Sequence, residues 1–127
     1  MIYHQNAKIK EESKMAWGNK SEMDLIVTIV EQGRAEDVID FAKAAGAEGG
    51  TILSGRGCGS HDTAKLLGIL IEPEKEVVLT LVPSSKTSTI LTAIEIGMDL
   101  NKPGKGIAFV INVSTVVGLG VSKKEEK

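Results

Sequence analysis

The sequence predicts an α+β domain: a four-stranded antiparallel sheet with two helices on one of its faces. Three observations predict it. Short β-branched runs alternate with two stretches whose apolar residues recur at helical spacing, and the order is strand, helix, strand, strand, helix, strand. Glycine-rich turns stand at two of the junctions, Gly55 to Ser60 and Lys102 to Gly106. The 127 residues suffice for one such domain and not for two ordinary ones.

Residues 1–23 mix Lys8, Lys10, Lys14 and Lys20 with Glu11, Glu12 and Glu22 at no steady apolar period, so they are expected to form a mobile arm or a short helix outside the domain. Trp17 in this arm is expected to rest on a surface or to anchor on a neighbouring subunit. The domain is expected over 24–120, with 121–127 as a charged tail. Leu25 to Val30 reads as a central strand because it is β-branched and almost without polar interruption. Gln32-Gly33-Arg34 turns the chain, and Val38, Phe41, Ala42 and Ala45 then form one apolar helical stripe that Gly46 ends.

Gly49-Gly50 leads into a second strand, Thr51 to Ser54, which runs into the first glycine turn. Leu66 to Ile71 and Glu76 to Val82 both read as extended, separated by a bend at Glu72-Pro73-Glu74-Lys75. Glu76 to Val82 is assigned as the third core strand, and Leu66 to Ile71 as an extension belonging to the loop. Pro83-Ser84-Ser85 supplies a stop and an expected helix cap, before Ile90, Leu91, Ile94 and Met98 make a second apolar stripe. In the last strand, Ile107 to Val113, the residues Ile107, Phe109, Ile111 and Val113 share a face. Two helices join these strands only by crossovers onto one face of the sheet, which is the ferredoxin-like βαββαβ arrangement. The other face stays apolar and uncovered within one subunit, so an oligomer is expected.

Composition excludes several functions. A formal net charge of −2 creates no field that would recruit nucleic acid or an anionic membrane, and 3% aromatic residues cannot build base-stacking platforms. Apolar stretches such as Val77 to Val82 fall far short of the roughly 20 residues that span a bilayer, so no membrane insertion is expected. With one cysteine and no leader of secretory type, the expected home is the cytoplasm.

Chemistry, if any, must be local. Gly57 and Gly59 flank Cys58 at a strand end, where main-chain amides can turn toward an anion with Arg56 beside them. Gly104, Lys105 and Gly106 follow the same logic, with Lys102 as a second cation, but lack the spacing of a Walker loop. A bend without a ligand explains either turn equally well. Cys58 and His61 stand as Cys-x-x-His, with Asp62 as a further ligand across an interface, which makes a divalent-metal trimer the alternative function. A Cys58 nucleophile with His61 as its base lacks a third group to orient the histidine.

Asp24 to Val30, Glu36-Asp37-Val38, Gly46, Thr51, Gly57-Cys58-Gly59 and Gly104 to Val110, in that order and spacing, resemble the PII nitrogen-regulatory family. The resemblance runs from about Asp24 to Leu119. It implies a homotrimer that is a sensor and not an enzyme. ATP or ADP would bind in clefts between subunits, and the loop 59–75 would dock on a regulated enzyme, transporter or regulator. It also implies that Thr51, Gly57 and Gly59 lie at the adenosine side and loop base, with Gly104, Lys105 and Gly106 around the phosphates. The departures are specific. Lys105 and Ile107 replace an aspartate and a lysine, Gly118 and Gly120 replace two arginines, and Ser60 and His61 stand near the family's glutamine. The loop is shorter than the family's and has no tyrosine. The resemblance therefore leaves the ligand open between an adenine nucleotide and a related phosphate-bearing metabolite.

Overall fold

The computed structural model describes residues 22–59 and 64–119. The elements are β1 (Met23–Glu31), α1 (Ala35–Ala44), β2 (Thr51–Arg56), β3 (Ala64–Leu66), β4 (Ile69–Ile71), β5 (Glu74–Pro83), α2 (Ser84–Gly97) and β6 (Ile107–Val113). Trp17, the rest of the arm to residue 21, Ser60, His61, Asp62 and Thr63, and the tail from residue 120 lie outside the described residues.

The main sheet has the order β2-β5-β1-β6 and every pairing in it is antiparallel. This is the expected ferredoxin-like arrangement. β1 is hydrogen-bonded on both sides, to β5 from Met23↔Pro83 to Glu31↔Lys75 and to β6 from Met23↔Val113 to Ile29↔Ile107. Strand alternation divides its residues between the two faces. Ile26 and Val30 lie under the helices with Val78 and Val82 of β5, and meet Val38 and Ala42 of α1 and Ile90 and Ile94 of α2. Each large aliphatic chain buried there contributes about 1.5–3 kcal/mol before entropy is counted.

The helices meet closely because Gly97 has no side chain. A Cβ there would stand 2.5 Å from the Phe41 ring. Phe41, one member of the expected stripe, consequently lies at the rim of the core, packed on the neighbouring helix and still partly exposed.

Two expectations are corrected. Leu66 to Ile71 is not one extension but a hairpin: β3 and β4 pair antiparallel, Ala64↔Ile71 to Leu66↔Ile69, around a turn at Leu67-Gly68. Both turn residues have positive φ, +55° and +82°, which closes a two-residue hairpin that a leucine at the first position disguises in the sequence. Nor does a serine cap α2. The cap position is Pro83, which makes no side-chain cap bond; instead Thr87 Oγ1 donates to Asp24 Oδ2 at 2.7 Å and lies 3.3 Å from the Pro83 carbonyl.

Asp24 is the centre of a polar clasp. Its other oxygen accepts from Asn112 Nδ2 at 2.9 Å, so one nearly buried carboxylate ties β1 to α2 and β6. The bonds from Thr87, Asn112 and Ser84 hold its pKa below the ordinary aspartate value, against an opposing push from burial. The first helix is also capped from a distance: Glu76 Oε1 on β5 accepts from the amides of Gly33 at 3.0 Å and Ala35 at 2.9 Å. That carboxylate occupies the place of an N-cap side chain, which Arg34 does not supply.

Thr28 and Thr80 are the exceptions to a well-satisfied interior. Both are fully buried on the helix-covered face, and their hydroxyls find no hydrogen-bond partner among the described residues. A buried hydroxyl without a partner costs about 1–3 kcal/mol. Thr28→Val and Thr80→Val are each expected to stabilise the fold by about 1 kcal/mol, read as a higher urea midpoint at unchanged slope. Lower stability in both variants would mean that the hydroxyls are satisfied in solution.

The clasp predicts a pH dependence. Because the folded-state pKa of Asp24 is depressed, its stabilisation is complete above the unfolded value of about 4 and is lost as pH falls through the folded one. Melting curves of the native chain and Asp24→Asn should therefore differ most near neutrality and converge on acidification. A constant gap down to about pH 3 would remove Asp24 from the acid response.

Candidate functional site

At one end of the sheet β1 and β2 finish while β5 and β6 begin, and a cavity of about 480 Å³ opens there. Its floor is aliphatic. Ile29 stands opposite Val77 on one side and Ile107 on the other, all on the sheet face that no described element covers. Its walls are the two glycine loops, Gly55 to Gly59 and the pair Gly104 and Gly106. They follow and precede the two edge strands of a four-stranded sheet, so they stand about 14 Å apart, three strand spacings.

The sequence-predicted residues divide clearly. Arg56, Gly57, Cys58, Gly59, Gly104 and Gly106 all line this one cavity. Thr51, Lys102 and Lys105 do not: Thr51 pairs with Leu79 at the far end of β2, and both lysines are exposed beside the glycine loop. The cation that sequence reasoning missed is Lys75, which lines the cavity at the start of β5 and is paired in register with Gly55. Its signal was the alternation Glu74-Lys75-Glu76. Period two puts Lys75 on the face opposite Glu76, and Glu76 is committed to the cap of α1.

The two glycine loops differ physically. Gly106 has φ +132°, and a Cβ there would stand 2.7 Å from the Ile29 carbonyl oxygen, so the fold itself demands glycine. A Cβ on Gly57 would meet nothing within 4 Å, and no positive φ requires glycine there. The Gly57 amide donates to the Pro73 carbonyl at 3.2 Å, which ties together the two legs of the segment 59–75 at its base.

An aliphatic floor with an arginine, a lysine and main-chain turns around it suits a molecule with one flat apolar part and one anionic part. No carboxylate or imidazole is among the described residues that line it. The Cys58 thiol is exposed at its rim, while its expected metal partners His61 and Asp62 lie outside the described residues. Among the described residues no three histidine, cysteine or acidic side chains gather as a metal site, and no helix is long and apolar enough to cross a membrane.

The fold is similar to several solved structures. One is CPII, a nitrogen regulatory PII-like protein from Thiomonas intermedia K12 bound to ADP, AMP and bicarbonate; the match has TM-score 0.58 and 21% identity over 78% of this chain and 96% of that one. A B. subtilis GlnK–ATP complex matches at TM-score 0.58 and 16% identity, over 76% of this chain and 86% of that one. Arabidopsis thaliana PII bound to citrate matches at TM-score 0.58 and 22% identity, over 78% and 84%. These likenesses concern the fold. No curated protein sequence matches the chain. The profile of the family described as Nitrogen regulatory protein P-II matches residues 23–123, which takes in the whole sheet, both helices and both glycine loops, and the chain belongs to that family.

Proposed function

We propose that this protein is a regulator that senses an adenine nucleotide, or a related metabolite with an anionic group, in the cavity between its glycine loops. It signals through the segment 59–75 to a partner enzyme, transporter or regulator. The observation that carries this reading is the convergence of two loops, distant in sequence, with Arg56 and Lys75 over an aliphatic floor. The base would lie on Ile29, Val77 and Ile107, and the anionic group against Arg56, Lys75 and the turn at Gly57 to Gly59. Because the Gly57 amide bonds to Pro73, a ligand at this turn acts on both legs of the signalling segment together. The nucleotides in the CPII and GlnK structures support the ligand class. Its role is sensing and not catalysis.

The functional unit is a homotrimer. Phe109, Ile111, Ile107 and Leu53 stand 41–54% exposed on the open sheet face, beside half-buried Leu25, Ile29, Val77, Leu79 and Leu81. Copies of the same face are the natural cover for so continuous an apolar surface. The cavity floor belongs to this face, so a neighbouring copy completes the site.

Melting temperature should rise by several degrees with ATP, ADP or AMP, tested with and without magnesium, since a ligand at about 100 times its Kd stabilises by about 2.7 kcal/mol. Lys75→Ala should shrink that shift. Gly57→Ala, whose new methyl meets nothing in the fold, should leave the unliganded melting temperature in place and still impair binding. A flat panel across all nucleotides would sink the proposed ligand class.

Sedimentation equilibrium at micromolar concentration should return three times the chain mass, and Phe109→Asp on the open face should reduce it toward one. A native chain that sediments as a monomer would refute the trimer.

A further inference from the structure

Another recess, of about 190 Å³, lies at the end of the sheet away from the glycine loops, where β1 begins and β5 ends. Met23, Leu81 and Leu119 give it apolar walls. Gly46, Glu48 and Lys86 stand at its polar side, with Lys86 Nζ donating to the Gly46 carbonyl at 3.5 Å. An occupant suited to such a place has an apolar body, a face that takes a cation and a hydrogen-bond donor at its edge. An indole has all three, and its N–H only donates. Size agrees: a cavity of about 150 Å³ already admits benzene, so one of about 190 Å³ admits the larger part of an indole.

The chain carries an indole within reach. Residues 1–21 lead into the domain at this recess, because Met23 is one of its walls. Trp17 stands six residues before Met23, a reach of at most about 20 Å, and Gly18-Asn19 between them are residues that favour reversal of the chain. Tyr3, the arm's other large aromatic residue, stands twenty before Met23, which lowers its effective concentration at the recess about sixfold. The tail beyond Leu119 offers Val121 as its one apolar side chain, and valine has no donor for the polar side.

We propose that Trp17 seats in this recess of its own chain, with its ring against Met23, Leu81 and Leu119, its N–H toward Gly46 and Glu48, and Lys86 at its face. The arm then latches the start of β1 to the end of β5, at the pole opposite the cavity of the glycine loops. This goes beyond the sensing reading and does not rest on it. Leu81 also belongs to the open sheet face, so the rival occupant is a neighbouring copy.

Trp17 is the only tryptophan, so the fluorescence of the full chain reports on it alone. Its emission should be blue-shifted from that of the guanidinium-unfolded chain and shielded from acrylamide. Leu119→Asp, which places a carboxylate in the recess wall, should lose most of that shift and shielding. Val117→Asp, two residues earlier, 64% exposed and outside the recess, should keep both, with the sedimenting mass unchanged in either variant. Seating within one chain is read from Trp17→p-benzoylphenylalanine in protein assembled from mixed heavy-isotope and light chains. Its adducts should fall on Met23, Leu81 or Leu119 and join peptides of the same isotope only. Mixed-isotope adducts, which would give the recess to a neighbouring copy, overturn the proposal, as do adducts outside the recess. So do a native emission at the unfolded position, equal emission in Leu119→Asp and the native chain, or a change in Leu119→Asp that comes only with a fall in mass.

Discussion

The structure depends on the double pairing of β1. It is bonded along its length to β5 and along most of it to β6, and its period-two alternation sends Ile26 and Val30 to the helices and Leu25, Val27 and Ile29 to the open face. A slip of one residue against β5 would exchange the two sets and take Ile26 and Val30 out of the core, so burial of the helix-covered face pins the register. That register brings Ile29 level with Val77 and Ile107, and thereby sets the floor of the cavity. Core, open apolar face and candidate site are three consequences of one alternation.

Two carboxylates then fasten the helices to this strand pair from outside the helices. Glu76 caps α1 from β5, and Asp24 holds the first turn of α2 from β1. Neither helix relies on a capping side chain of its own. Negative charge at a helix N-terminus is favoured by the exposed amides there, whichever element supplies it. Each helix position is thus tied to the strand register, and the same β5 that carries the cap also carries Lys75 one residue earlier.

The fold was legible in the sequence because its signals are local. The β-branched run at Leu25 to Val30, the stripes at Val38 to Ala45 and Ile90 to Met98, and the boundaries of the last strand are all read within a few residues. What escaped was non-local or disguised. The cap of α1 comes from a residue 41 positions away, and the carboxylate that holds Thr87 of α2 from one 63 positions away. The hairpin was hidden because leucine is an improbable first turn residue. For the site, the order of the glycine loops showed that each exists, but only the sheet topology brings them to one end, and only register adds Lys75 while leaving Thr51 at the other.

The glycines carry the final distinction. Gly106 is required by the chain itself, since a methyl group would strike the Ile29 carbonyl, and its presence says nothing about a ligand. Gly57 is required by nothing in the described fold: a Cβ there would meet nothing within 4 Å, yet the residue stands beside Arg56 and its amide bonds to the far leg of the segment that ends at Lys75. A small residue where no neighbour demands one is better evidence for an approaching molecule than one whose place is already filled. The two loops, alike in composition, therefore differ in kind: Gly104 to Gly106 fix the wall, and in the proposed function Gly55 to Gly59 offer the surface through which a ligand would reach the segment 59–75.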